Sequence, residues 1–194
     1  MNFSFSSLTT DNWNDFVALF GEKGACGGCW CMYWRSKASD YNQLKGEGNK
    51  KAFGKIVKKT SPGIIGYADG RPAGWCAVAP RKEYVRLEKS RVLKPVDDKP
   101  VWSIVCFFIE KQFRNLGLSN QLLRSAVEFA ISNGATIIEG YPVEPKTDKM
   151  PDVFAWTGFS KTFIKAGFKE VERRSEARPV MRYYKNQNLS YVSK

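Results

Sequence analysis

The sequence predicts an α/β fold of the α+β kind, a central sheet flanked by helices, from three observations. Val101 to Ile109, VWSIVCFFI, is an apolar run rich in β-branched and aromatic residues, broken only by Ser103. Such a run marks a strand covered on both faces, and so the middle of a sheet. After Arg114 and Gly117, residues Leu118, Leu122, Leu123, Ala126, Val127 and Ala130 recur at helical spacing. Gln121, Arg124, Ser125 and Glu128 fall opposite, and Asn133-Gly134 is the stop. Upstream, GIIGYADGRPAGWCAVAP reads as a hairpin, Gly63 to Ala68 and Pro72 to Ala79 about the turn Asp69-Gly70.

The totals suit one domain over residues 1–194 with a sizeable core: 194 residues, 43% hydrophobic, with six Trp and thirteen Phe. No apolar run approaches the roughly 20 residues needed to cross a bilayer. The N-terminus lacks a basic segment followed by an apolar one. A soluble, cytoplasmic protein without a membrane partner is expected. The excess of 31 Lys and Arg over 19 Asp and Glu should concentrate anionic partners around the chain. The absence of histidine removes the commonest general base and the commonest zinc ligand together.

In chain order, Thr10 or Asp11 can cap a first helix that turns Trp13, Phe16, Val17 and Phe20 to one face. The stretch Gly24 to Arg35 holds three of the five cysteines. Without histidine, and with Cys76 and Cys106 reading as strand residues far along the chain, no metal site is expected. A redox pair of Cys26 with Cys29 is the other reactive reading. Packing is favoured, with Trp30, Tyr33 and Trp34 as a substrate-pocket wall. Gly46 to Lys59 reads as a helix with Phe53, Ile56 and Val57 inward. Its lysines 51, 55, 58 and 59 read as a solvated face, with RNA or phosphate contact as the sharper alternative. Pro80 to Pro100 reads as a surface loop with a short helix near Arg86 to Ser90. Ala135 to Val143 is a strand, Val153 to Ala166 a helix, and Lys169 to Ser175 with Pro179 to Tyr184 a terminal strand pair. Residues 185–194 read as a frayed tail.

The turn Arg114-Asn115-Leu116-Gly117-Leu118-Ser119 carries the chemistry. A strand entering a helix here leaves first-turn amides without intrahelical partners, aimed at one small volume. The helix dipole and the bare Gly117 add to an anion site suited to pyrophosphate. A single glycine in this turn does not match a dinucleotide fingerprint.

This order of elements resembles the GNAT superfamily of acyl-CoA-dependent N-acetyltransferases, from Trp13 to Tyr184. Ile109 to Ser119, IEKQFRNLGLS, is similar to its pyrophosphate motif, and Thr162 to Phe168, TFIKAGF, to its closing helix signature. The resemblance implies a mixed, mostly antiparallel sheet splayed at the acyl-CoA site. It implies that backbone amides of Arg114, Asn115, Leu116, Gly117, Leu118 and Ser119 hold the pyrophosphate of acetyl-CoA. It also implies that the main chain of Phe107, Phe108 and Ile109 pairs with the pantetheine arm. Three positions depart from the family pattern: Ser119 stands for Gly or Ala, Phe163 for a thiolate-protonating tyrosine, and Ser103 for a glutamate base.

Expected function is therefore transfer of an acetyl group from acetyl-CoA to a primary amine of a small molecule or polypeptide, by direct attack in a ternary complex. The expected base is Glu139, through water anchored by Ser103, with Tyr141 as acid or substrate contact. Alternation puts Glu139 and Tyr141 on the same side of their strand, near the expected thioester gap. The alternative is a catalytically silent module of the same fold that binds acyl-CoA or RNA. A homodimer is left open.

Overall fold

The computed structural model describes residues 1–145 and 156–185. The described strands are β1 (Phe3–Ser7), β2 (Gly63–Ala68), β3 (Arg71–Pro80), β4 (Trp102–Ile109), β5 (Ile137–Gly140), β6 (Lys169–Arg173) and β7 (Pro179–Tyr184). They form one sheet in the order β1-β2-β3-β4-β5-β7-β6. Only β4 and β5 run parallel, so the sheet is mixed and mostly antiparallel, as expected. The helices are α1 (Trp13–Phe20), α2 (Ala38–Gln43), α3 (Glu47–Val57), α4 (Val85–Glu88), α5 (Leu118–Ser132) and α6 (Ser160–Lys165).

Two cores sandwich the sheet. On one face Phe16, Leu19 and Phe20 of α1 and Phe53 and Val57 of α3 pack around Trp75 and Tyr84. On the other, Leu122, Leu123, Ala126 and Ala130 of α5 meet Ile104, Ile138, Phe163 and Phe168. Each such large side chain, once fully buried, contributes about 1.5–3 kcal/mol of transfer free energy.

Two glycines set how closely α5 lies on the sheet. Gly66 and Gly74 are register partners in β2 and β3. A methyl added at either would stand 3.2–3.4 Å from the ends of Leu118 and Leu122. The first turn of α5 therefore settles into a shallow trough made by two absent side chains.

Strand β4 is paired along its whole length with β3, but with β5 only at Trp102, Ser103 and Ile104. From Val105 onward its second edge leaves the sheet, which splays. The expectation that both faces of Val101 to Ile109 are covered holds for the paired half alone; Cys106 to Ile109 are half-buried.

Other expectations need correcting. Strand β1 was not anticipated, although Phe3-Ser4-Phe5-Ser6 alternates apolar and polar as an edge strand does, with Phe3 and Phe5 half-buried. Helix α2 was missed because it buries no side chain and so carries no apolar stripe. The helix expected from Val153 begins at Ser160: Trp156 and Thr157 form a turn, and Phe159 bridges to Val143. The proposed start of that helix, and the 186–194 part of the tail, lie outside the described residues. Pro80 to Pro100 is no mere surface loop, since Arg81, Tyr84, Leu87 and Leu93 are buried.

Candidate active site

The splay of β4 from β5 opens a cleft of about 1120 Å³. One end is the turn into α5. Asn115 and Gly117 both take left-handed backbone, at φ 61° and 84°. Such a conformation is easy for glycine and tolerated by asparagine. The two swing successive amides toward one side, as in an anion-binding nest. The Arg114 amide bonds the Lys111 carbonyl at 3.4 Å, and the Asn120 amide turns back to the Gly117 carbonyl at 3.2 Å. The amides between, from Asn115 to Ser119, reach no backbone carbonyl among the described residues. Arg114 lines the same end and donates through Nε to the Ile109 carbonyl at 3.1 Å.

The open edge of β4 forms the next wall. Trp34 Nε1 donates to the Val105 carbonyl at 3.1 Å, and the Phe107 amide donates to the Trp156 carbonyl at 2.6 Å. By strand alternation the Phe107 carbonyl and the Ile109 amide share that edge. Asn120 also lines the cleft, and its Oδ1 is a buried acceptor without a partner among the described residues.

Opposite the turn, the lining is sulfur and aromatic rings: Cys26, Cys29, Cys31 and Cys106, with Tyr33, Tyr41 and Trp156. Tyr33 packs edge-on against both Tyr41 and Trp156, with centroids 5.6 and 5.3 Å apart. All five cysteines are free thiols, so the alternative of a Cys26–Cys29 pair is not formed here. Among the described residues no group of three metal-ligating side chains comes together. The Cys31 Sγ accepts the Trp75 indole N–H at 3.2 Å. A hydrogen bond from Cys106 holds the Cys31 thiol below its usual range, helped by the nearby Arg35 charge and the Trp75 N–H. The same bond, with burial, pushes Cys106 well up.

The residues expected to catalyse lie elsewhere. Glu139, Tyr141 and Ser103 do come together, on the paired half of β4 and β5, but none of them lines the cleft. Glu139 is 1% exposed, and its carboxylate takes Arg81 Nη1 at 3.0 Å, Arg182 Nε at 2.7 Å and the Tyr141 hydroxyl at 2.7 Å. Tyr141 also accepts from Arg81 at 2.6 Å and shares a 2.8 Å hydrogen bond with Ser103. Arg182 extends the network by donating two hydrogen bonds to the Asp97 carboxylate, at 2.7 and 2.9 Å, which lower its pKa to about 2. Burial first, then the Glu139 charge, pushes the Tyr141 hydroxyl well up. A base must be reachable by the proton it takes, and Glu139 is walled in by two guanidinium groups. The base role drawn from strand position does not fit this geometry.

A model of the acetyltransferase (GNAT) family matches residues 28–159. The chain belongs to the GNAT acetyltransferase family. Its fold is similar to that of a GNAT-family acetyltransferase from Listeria monocytogenes, 10% identical over 94% of each chain with a TM-score of 0.57. It is also similar to the PaiA N-acetyltransferase of Thermoplasma acidophilum, solved in complex with coenzyme A. That protein is 13% identical over 95% of this chain and 99% of that one, with a TM-score of 0.53. Aminoglycoside N-acetyltransferase AAC(6')-Iy, also solved with CoA, is 17% identical over 89% and 91%, with a TM-score of 0.52. At these identities the likeness is one of fold. No curated protein matches the chain.

In this GNAT chain the expected cofactor residues Phe107, Phe108, Ile109, Arg114, Asn115, Gly117, Leu118 and Ser119 all line the cleft, while Leu116 points to solvent. Of the expected pocket wall, Tyr33 lines it. Trp30 is buried in the core against Phe16 and Phe20, and Trp34 is stitched to β4. No residue of the Pro80 to Pro100 loop lines it either; Val85, Arg86, Lys89 and Ser90 line a smaller neighbouring recess with Tyr33 and Trp34. Phe163, the departure from tyrosine, is fully buried against Phe107 and Phe168. Sequence reading missed Cys106, Tyr41, Asn120 and Trp156 as site residues. The density of thiols in Gly24 to Arg35 was visible, but not which of them would face the splay.

Proposed function

We propose that this GNAT chain moves an acetyl group from acetyl-CoA to a primary amine of a small molecule or polypeptide. The observation that carries this is the run of amides from Asn115 to Ser119 that reach no backbone carbonyl among the described residues, with Arg114, in a cleft whose wall is an open strand edge. A pyrophosphate sits on the amides, where the positive end of α5 adds to the attraction. The pantetheine arm lies along β4, meeting the Phe107 carbonyl and the Ile109 amide like an added strand. Asn120 Oδ1 supplies a further acceptor. The thioester then reaches the thiol and aromatic end, where the acceptor amine enters past Tyr33 and Tyr41. The departing thiolate, of pKa near ~8.5, gains little from a proton donor at neutral pH, so Phe163 in place of tyrosine is tolerable. Arg114 is the one cation that lines the cleft among the described residues, which favours a single diphosphate over an extended RNA backbone.

Calorimetry with acetyl-CoA tests the reading, and heat of binding is expected. In Gly117→Glu a carboxylate stands beside the diphosphate. At about 4 Å and an effective dielectric of about 20 this costs roughly 4 kcal/mol, about a 1000-fold loss of affinity. Nothing lies within 4 Å of the position a Cβ would take at Gly117, but its φ of +84° strains any side chain there by about 1–2 kcal/mol, so circular dichroism must first show the variant folded. No heat with the native chain sinks the reading. Binding without turnover across a panel of amines leaves the catalytically silent acyl-CoA module.

A further inference from the structure

We infer that the acceptor is an amine that also carries an anionic group, a carboxylate or a phosphate, and that this group seats on Arg86 in the recess beside the cleft. The inference rests on the acetyl-CoA reading above and narrows its acceptor class.

The first observation is how the two cavities join. The recess, of about 530 Å³, is lined from the start of α2 and from α4. Tyr33 lines both it and the cleft. Trp34, also on the recess wall, is bonded to the Val105 carbonyl, where β4 begins to splay. An acceptor whose amine passes Tyr33 toward the thioester therefore has the recess for the rest of its body.

The second observation is unmatched charge. Lys37, Arg86 and Lys89 line the recess, and among the described residues no carboxylate does. The acids closest to Arg86 along the chain are already held, Glu83 by Arg35 and Glu88 by Arg81. Asp40 of α2 lies outside the lining and accepts the Ser39 hydroxyl at 2.9 Å.

The third observation is how Arg86 is held. Its Nε donates to the Ser36 carbonyl at 3.0 Å. Its guanidinium carbon lies 4.1 Å from the centroid of the Tyr33 ring and 5.1 Å from that of Tyr41. These contacts fix the plane of the guanidinium and leave both Nη groups without a hydrogen-bond partner among the described residues. A guanidinium oriented in this way, with N–H donors to spare, matches a carboxylate or phosphate in shape and charge. On the other side of Tyr33, Arg178 donates to Thr157 Oγ1 at 2.7 Å, next to Trp156, whose ring packs on Tyr33. Neither arginine has a carboxylate partner among the described residues. The second ammonium of a polyamine would be repelled here, and an anion attracted.

Initial rates with acetyl-CoA are measured on matched pairs of amines. L-leucine and L-phenylalanine are set against their carboxamides, and phosphoethanolamine and glucosamine 6-phosphate against their unphosphorylated forms, with spermidine as the polycation. The anionic member should have the larger kcat/KM, by about 10- to 100-fold for a charge-assisted contact. The pair with the larger ratio tells carboxylate from phosphate. Arg86→Gln should raise KM for the anionic acceptor by a similar factor, spare KM for acetyl-CoA and erase the difference within the pair, which a loss of fold would not do. Lys89→Gln, at an exposed position, should act in the same direction but less. Neutral amines or spermidine used as well as the anionic ones overturn the inference, as does discrimination that survives in both variants. Should no amine turn over, calorimetry of the same pairs on protein loaded with coenzyme A decides, and equal heats within pairs, or no heat with the anionic members, overturn it. Absence of acetyl-CoA binding overturns the earlier reading, and calorimetry of the pairs on the free protein then still tests the recess.

Discussion

Between Trp102 and Ile104, β4 is bonded on both edges, and the charges beside it are matched atom by atom: Glu139 by Arg81 and Arg182, and Arg182 by Asp97. Between Val105 and Ile109 one edge leaves the sheet, and the groups beside it are thiols, amides and aromatic rings facing a cleft. The same strand thus carries a closed ionic half and an open, lightly charged half. The contrast teaches that a buried carboxylate near a GNAT cleft is no base merely by proximity. What matters is whether its oxygens are already held and whether the sheet opens beside it.

Substitutions in the closed half should move stability and leave acetyl-CoA binding alone. Glu139→Ala leaves two guanidinium groups without their shared partner in the interior; breaking a buried pair from one side costs about 3–5 kcal/mol. Urea unfolding should show a lower midpoint, with calorimetric affinity for acetyl-CoA retained. A stable Glu139→Ala whose turnover collapses would break the comparison and return Glu139 to the role of base. Tyr141→Phe removes a hydroxyl bonded to Glu139, Arg81 and Ser103. It should cost about 1–3 kcal/mol, seen as a lower thermal midpoint.

The smallest effect belongs to Asp97, which is partly exposed, so that its pair with Arg182 is worth about 0–1 kcal/mol. Its carboxyl is lowered to about 2 from a usual 3.8. The contribution is therefore complete above the usual value and lost as pH falls from there through about 2. Asp97→Asn should flatten the acid limb of the stability curve between those values and change little at neutral pH. An unchanged acid limb would mean that the Asp97–Arg182 pair does not form in solution.

Much of the open half was legible because its signals are local. The apolar run of β4, the glycine at 117 and the helical spacing after it lie within one stretch of chain, and of the cofactor residues named from them all but Leu116 line the cleft. The β2–β3 hairpin was readable for the same reason, from Asp69-Gly70 between two apolar runs. The closed half was misread because its meaning is set from far away. Nothing near Glu139 reveals that Arg81 and Arg182, 58 and 43 residues distant, converge on it. Cys31 and Cys106 likewise line one cleft from positions 75 residues apart, so that neither identified the other in sequence. Short helix α2 and the early start assigned to α6 show the remaining limit: without a buried stripe, or with a bridge such as Val143 to Phe159 imposed by tertiary structure, periodicity has little to register.

The trough formed by Gly66 and Gly74 has a consequence for tuning this enzyme family member. The first turn of α5, where we propose that the diphosphate binds, is levelled by two hydrogen atoms on neighbouring strands. One methyl group there would jack up the start of α5 by a few tenths of an ångström, retuning affinity for the acyl carrier while every residue that touches it stays the same.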